Sequence, residues 1–187
     1  MLIWIDRHWT LFTLTVLSLS LVWIGLTAAQ SIPTTQGQTP APRPGFKAPA
    51  FSLTTLTGEE VSLDAYHGKV VILNIWTTWC AFCETEMPAF QNAFEAFNPL
   101  NDVVILAVNS TVQDDPAAVA QFIARKGLQF AIPLDSDGRV THQYQVRALP
   151  TTFFIDRQGI IRDIVVGGPL TTAMIQSRAA DLLSQEP

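Results

Sequence analysis

The chain has 187 residues, 48% of them hydrophobic and only 14% charged, with a net charge of −5 at pH 7 and a pI near 5.0. That length supports one domain with a substantial core plus an appendage. The acidic balance and the lack of any Lys or Arg cluster exclude nucleic acid as a partner, because binding phosphates needs a concentrated basic surface. Three scattered His and two Cys are too few for a convincing metal site, and neither a metal nor a cofactor is expected.

The first element is apolar. Trp9 to Ala29 is a run of 21 residues without a charge. As a helix rising about 1.5 Å per residue it would span roughly 30 Å, the thickness of a bilayer core. Arg7 precedes it and no charge follows until Arg43, a bias that favours a cytoplasmic N-terminus, although Asp6 blunts it. Thr27-Ala28-Ala29 also suits a signal-peptide cleavage site, but the apolar run exceeds the usual signal core of about 7–15 residues. Residues 1–29 are therefore read as a membrane anchor, with a cleaved signal segment as the alternative. Either one exports the rest of the chain and places it outside the cytoplasm. Residues 30–45, with Pro33, Pro40, Pro42 and Pro44 among Thr, Gln, Ser and Gly, read as an extended linker. Residues 46–187 form the folded domain, where nine Lys and Arg face fifteen Asp and Glu once Arg7, Arg43 and Asp6 are set aside.

Within the domain, Ala50 to Leu53 and Glu60 to Leu63 predict a hairpin around Thr57-Gly58. Val70 to Trp76 is a near-continuous β-rich apolar run, the signature of a strand buried on both faces. A helix follows, with Phe90, Ala93, Phe94 and Phe97 on one stripe and a kink expected at Pro88. Val103 to Val108 repeats the buried-strand signature. Asp115-Pro116 then starts a helix with an apolar face of Val119, Phe122 and Ile123, and Arg125-Lys126-Gly127 stops it. Thr152 to Ile155 and Ile160 to Val166 flank a hairpin loop at Asp156-Arg157-Gln158-Gly159. Thr171 to Leu183 reads as a last helix with Met174, Ile175, Ala179 and Leu182 inward. Alternating strands and helices followed by a closing hairpin demand an α/β sheet with crossovers and an antiparallel edge.

The two cysteines, Cys80 and Cys83, stand two residues apart between the first buried strand and the helix. A disulfide between them would close almost no loop and so would restrict the unfolded chain very little. Placed at a helix start, the pair is suited to cycling between dithiol and disulfide. Unpaired N–H groups and the helix dipole favour a thiolate at Cys80, the nucleophile. A thiol with pKa about 8.5 is only about 3% ionised at pH 7, whereas one near 7 is about half ionised. Cys83, one turn later and facing inward, resolves the mixed disulfide. Half of a zinc site is the alternative, and His67 and His142 fall in no Cys/His spacing motif to support it.

A strand running into Trp79-Cys80-Ala81-Phe82-Cys83, a later Leu149-Pro150-Thr151 before a strand, and a final β-β-α resemble a thioredoxin fold. Further motifs resemble the membrane-anchored, exported thiol–disulfide oxidoreductases of the TlpA/ResA type. They are Ala48-Pro49-Ala50-Phe51-Ser52-Leu53 with Thr57-Gly58, Leu73-Asn74-Ile75-Trp76, Glu84-Thr85-Glu86-Met87-Pro88, Ala148-Leu149-Pro150-Thr151-Thr152-Phe153 and Asp156-Arg157-Gln158-Gly159. The resemblance covers nearly all of residues 46–187. It implies a thioredoxin-like fold with an N-terminal β-hairpin extension.

The resemblance also implies roles. Glu86, one helical turn beyond Cys83, matches the acidic residue of the TlpA/ResA type and is assigned to proton management for the pair; an ordinary surface Glu is the alternative. Thioredoxins carry a buried acid six residues before the first Cys, where this chain has Asn74. Pro150 matches the cis-proline that faces the Cys pair, and the backbone of Leu149 would pair with an extended substrate segment. Trp79 offers an apolar lip beside Cys80, and Phe82 enlarges it. Ala81-Phe82 lacks the Pro that relatives often carry before the second Cys, which leaves open whether the pair donates or accepts electrons.

The function implied is reduction of disulfides in exported proteins, such as apocytochromes before haem attachment or a copper-site assembly factor. A membrane thiol protein would supply the electrons. Rival readings are an oxidase or isomerase for exported folding clients, a peroxiredoxin-class peroxidase, and a copper chaperone. The peroxidase reading suffers because Leu73 stands where that class needs Pro. The chaperone reading suffers because His142 precedes Pro150 without a matching context.

Overall fold

The computed structural model describes residues 9, 11–20, 22–23 and 40–184. Residues 9, 11–20 and 22–23 are helical and expose apolar side chains such as Leu14, Leu17 and Val22. Among the described residues no helix is long and apolar enough to cross a membrane. The spanning helix expected over 9–29 is therefore not shown by the structure. The rest of that segment and residues 30–39 of the linker lie outside the described residues.

The chain divides into two compact units, 1–35 and 36–187. In the second, β1 (Ser52–Thr55) and β2 (Glu60–Ser62) form the expected hairpin. Then come β3 (Val70–Trp76), α1 (Ala81–Phe97), β4 (Val103–Asn109) and α2 (Pro116–Lys126). The remaining elements are β5 (Pro133–Leu134), α3 (Arg139–Gln143), β6 (Thr151–Ile155), β7 (Ile161–Val166) and α4 (Thr172–Ser184). The seven strands form one sheet in the order β2-β1-β5-β4-β3-β6-β7. β4 runs parallel to β3, β6 antiparallel to β3 and β7 antiparallel to β6, so the architecture is thioredoxin-like with an added hairpin at one edge.

β5 and α3 have no counterpart in the sequence reading. Two and five residues are too short to establish a period, and tertiary pairing makes them instead. β5 exists because Pro133 and Leu134 bridge the hairpin to the main sheet through β1 and β4. α3 exists because Asp135, wholly buried, accepts hydrogen bonds from the Val140 N–H at 3.1 Å and the Thr141 N–H at 2.8 Å. Residues 40–45, which composition places in the linker, also join the fold. The Gly45 N–H donates to the Ile161 carbonyl at 2.8 Å, and the Ala41 N–H to the Lys47 carbonyl at 2.9 Å.

Period-two alternation in β3 sorts the core into two clusters. Val70, Ile72 and Trp76 face one side with Met87 and Phe90 of α1, Phe122 of α2, and Ile175 and Ala179 of α4. Val71, Leu73 and Ile75 face the other with Leu53, Val61, Val140 and Phe153. α1 is continuous through Pro88, and its Phe94 and Phe97 are only half-buried. α2 begins as expected, with Asp115 accepting from the Ala117 N–H at 3.2 Å, and ends at Gly127 in the left-handed conformation that favours glycine. Met174, expected inward, is 39% exposed. α4 buries the stripe Ile175, Ala179 and Leu182, and Met174 in its first turn lies outside that stripe.

Trp76 and Phe122 form the aromatic centre of the first cluster, their rings 4.9 Å apart. The Trp76 indole N–H donates to the Ala107 carbonyl at 3.1 Å, which ties β3 to β4 through a side chain as well as the ladder. Phe122→Ala is expected to destabilise the protein by about 3–5 kcal/mol through lost burial and a residual cavity. Urea unfolding of the full chain should show a lowered midpoint at unchanged slope. A midpoint within error of the wild type would refute the central place given to this pair.

Candidate active site

β3 ends at Trp76, and three residues carry the chain to Cys80, the N-cap of α1. Cys80 Sγ accepts a hydrogen bond from the Cys83 N–H at 3.2 Å, so a sulfur takes the place usually filled by a Ser or Asp oxygen. The Glu84 N–H donates to the Cys80 carbonyl at 3.0 Å, which starts the helical ladder at the cysteine. Cys80 and Cys83 form a disulfide with Cα atoms 5.2 Å apart. Cys80 keeps 8% of its surface exposed and Cys83 none. An incoming sulfur can therefore reach only the first cysteine.

The loop before Cys80 is held by residues that the sequence reading passed over. Asp114 accepts from the Thr78 N–H and the Thr78 hydroxyl, both at 2.6 Å, and from Asn109 Nδ2 at 2.9 Å. Burial pushes the Asp114 carboxyl up, but the hydrogen bonds from Asn109, Thr78 and the Asp115 N–H outweigh it and hold the group below its ordinary value. The Trp79 indole N–H donates to the Gln113 carbonyl at 2.9 Å, which pins the ring while 61% of the residue stays exposed. The signal was an extra acid: Asp115 alone caps α2, which leaves Asp114 beside it unexplained.

The opposite wall is the Leu149–Pro150 peptide, which is cis. The Pro150 carbonyl accepts from the Gly167 N–H at 2.8 Å, and the Thr151 hydroxyl donates to the Ala148 carbonyl at 2.7 Å. No hydrogen bond within the described residues engages the backbone of Leu149. Leu149 is half-buried, Pro150 buried, and Phe82 58% exposed in the first turn of α1. A groove of about 380 Å³ lies between these walls, lined by Trp79, Cys80, Gln113, Val146, Arg147 and Leu149 among others.

Glu86 is wholly buried, not on the surface. Its Oε1 accepts from Asn74 Nδ2 at 2.9 Å, and its Oε2 from the Leu170 N–H at 3.1 Å. Three elements thus meet at one carboxylate: β3, α1 and the segment between β7 and α4. Burial pushes its pKa up to about 7, and the hydrogen bonds from Leu170 and Asn74 only partly offset that push. Asn74 Nδ2 also reaches Thr152 Oγ1 at 2.9 Å, so the residue standing where thioredoxins have an acid serves as the donor that holds Glu86. A second cis peptide, Gly168–Pro169, passes beside the carboxylate. A Cβ at Gly168 would lie 2.7 Å from Glu86 Oε2 and 3.0 Å from Pro150 Cγ, so only glycine fits that approach. The Gly168-Pro169 dipeptide was readable as a turn, but nothing in it revealed what it would pass. Glu84 is elsewhere engaged, paired with Lys126 at 3.0 Å. Among the described residues no group of three or more His, Cys, Asp or Glu is arranged to hold a metal ion.

A disulfide with one accessible and one enclosed sulfur, at the N-terminus of a helix in a thioredoxin-like sheet, defines a thiol–disulfide oxidoreductase. The comparisons with known proteins agree. The chain belongs to the AhpC/TSA family, whose model matches residues 44–164, and within it to the TlpA/ResA-type thioredoxin-like proteins. It is 43% identical over 123 residues to the thiol-disulfide oxidoreductase ResA of Geobacillus kaustophilus, covering 66% of this chain and 69% of that protein. It is 38% identical over 131 residues to ResA of Bacillus subtilis, covering 70% and 71% of the two chains. The solved structure of StoA from Bacillus subtilis superposes with a TM-score of 0.61 at 31% identity, over 70% of this chain and 96% of that one. A secreted Mycobacterium tuberculosis disulfide oxidoreductase superposes with a TM-score of 0.63 at 27% identity, over 71% and 96%.

The buried carboxyl has a consequence for stability. The native chain keeps the Glu86 proton up to about pH 7, whereas an ordinary carboxyl at 4.5 releases it earlier. Between those values the native state binds more protons than the unfolded chain, so this group makes stability fall as pH rises, with no further loss above about 7. The displacement corresponds to about 3 kcal/mol. Glu86→Gln, which cannot ionise, should therefore gain up to about 3 kcal/mol relative to the wild type between pH 4 and pH 8. Urea unfolding of both oxidised chains across that range measures it, and a difference independent of pH would refute the raised pKa.

Proposed function

We propose that the protein is an extracytoplasmic reductant of disulfides in exported proteins, tethered to the membrane by its N-terminal segment. The observation that carries the exchange chemistry is the pairing of an accessible Cys80 with an enclosed Cys83, one helical turn from a buried carboxyl that titrates near neutral pH. Tethering and export are supported by the 21 uncharged residues from Trp9 to Ala29, by the exposed apolar side chains on the described part of that segment, and by a secreted neighbour of the same fold. Confinement near the membrane would raise the effective concentration of membrane-bound partners.

In the reducing direction the Cys80 thiolate attacks one sulfur of a client disulfide. The client S–S bond breaks, a Cys80–client mixed disulfide forms, and the departing client sulfur takes a proton. Cys83 then gives its proton to Glu86, and its sulfur attacks Cys80 Sγ. The mixed disulfide breaks, the second client sulfur leaves and is protonated, and Cys80–Cys83 is formed. Two electrons have passed to the client. A carboxyl with pKa about 7 is about half ionised at neutral pH, so Glu86 can accept this proton and later return it. A membrane electron-donor thiol protein would reverse the sequence and restore the dithiol. The clients fitting this reading are apocytochromes before haem attachment and metal-site assembly factors with oxidised cysteines.

Ala81-Phe82 between the cysteines favours a second reading, an oxidase or isomerase for exported folding clients, because the residues between the cysteines help set the potential. Known dithiols of this fold run from about −270 mV in thioredoxin to about −120 mV in DsbA. Equilibration of the full chain with a glutathione couple should give a value near the low end. A value near −120 mV would replace the reductase reading with the oxidase one.

The mechanism makes its own demand on variants. Cys80→Ser should abolish exchange, while Cys83→Ser should accumulate a mixed disulfide with the client, seen by mass spectrometry. Normal turnover by Cys83→Ser with a disulfide substrate would overturn the two-cysteine sequence. Glu86→Gln should slow release of the client and flatten the pH profile near 7; an unaltered profile would remove Glu86 from the proton path.

A further inference from the structure

The groove beside Cys80 carries a charge that the mechanism does not use. Arg147 lines it together with Trp79, Cys80, Gln113, Val146 and Leu149. Besides the redox cysteine, it is the sole ionisable side chain on the groove wall among the described residues. It is exposed, and among the described residues it makes no ion pair, hydrogen bond or cation–π contact. Two carboxylates of the active-site region are otherwise engaged. Asp114 is held by Thr78 and Asn109, and Glu86 is enclosed by Asn74 and Leu170.

An unpaired guanidinium in an otherwise uncharged, partly apolar groove is unusual on a domain whose acids outnumber its bases fifteen to nine. Among the described residues no carboxylate pairs with it, so it is free to meet an anionic group of whatever occupies the groove. From this charge complementarity we infer that Arg147 is a specificity-determining residue, selecting client polypeptide segments that carry an Asp or Glu close to the attacked cysteine. The inference rests on the client-binding reading of this face given above.

The size of the groove sets the spacing. A volume of about 380 Å³ leaves room for only a short stretch of a client segment. Cys80 and Arg147 line the same groove, so the client acid lies close in sequence to the client cysteine. The backbone of Leu149, free of internal hydrogen bonds, supplies the edge on which such a segment can lie extended. The planar fork of Arg147 suits a carboxylate, whereas a lysine at the same client position would meet repulsion.

The test uses the full chain in detergent and disulfide-bonded peptides that differ only in the residue two positions from the cysteine, either Glu, Gln or Lys. Rate constants are read at low ionic strength in both directions, with the reduced chain on disulfide peptides and the oxidised chain on dithiol peptides. An exposed ion pair predicts that the Glu peptide reacts about three- to fivefold faster than the Gln peptide, with the Lys peptide slowest. Arg147→Glu should invert that order, and about 0.5 M salt should level it in the wild type. Any effect of Arg147 on the reactivity of Cys80 itself alters all three peptides alike and cancels in the ratio. Equal ratios in the wild type and Arg147→Glu would overturn the inference. A chain that reacts only as an oxidant would overturn the reductase reading, and the ratio in that direction would still decide the case of Arg147.

Discussion

β3 is the constraint on which the rest of the structure depends. Its seven residues are fully buried, and both of its edges are hydrogen-bonded, to β4 on one side and β6 on the other. A strand so enclosed cannot shift register without exchanging Val70, Ile72 and Trp76 for Val71, Leu73 and Ile75 across the two cores. Its C-terminal end is therefore a fixed point. Cys80 follows four residues after Trp76, and the start of α1 inherits that fixity. The same register places Thr151 of β6 opposite Ile75, which brings Pro150 to the end of the sheet where the cysteines emerge.

Around that point the protein solves two opposing electrostatic problems. At the surface, the first turn of α1 presents N–H groups in need of an acceptor, and Cys80 supplies a sulfur. One turn deeper, a carboxylate is withdrawn from water and given only two N–H donors, from Asn74 and Leu170. The first arrangement favours negative charge on the exposed sulfur. The second leaves the buried carboxyl balanced between its charged and neutral forms near pH 7. Both are placed along one helix, so a proton leaving the enclosed sulfur has an acceptor one turn away.

The supporting loops have separate tasks. Asp114 ties Thr78, and through it the approach to Cys80, to the end of β4 at Asn109. Gly168 lets the chain after β7 pass against Glu86 and Pro150 together. The carboxylate and the wall facing the disulfide are thereby packed on the same backbone segment.

Much of this was legible in the chain. The near-continuous apolar runs at Val70–Trp76 and Val103–Val108 declared buried strands, because burial on both faces removes the alternation of polar and apolar positions. The cap at Asp115, the stop at Gly127 and the placement of the cysteines at a helix start are local chemistry, readable within a few residues. What the tertiary structure alone decided are contacts between residues far apart in the chain. The bond from Glu86 to the Leu170 N–H spans 84 residues, and that from Asn74 to Thr152 spans 78. A glutamate in the first turns of a helix has the same local sequence signature whether it faces water or a core. Only the folded sheet and the segment after β7 buried it, and burial, a property of what surrounds a residue, is what moved its proton affinity.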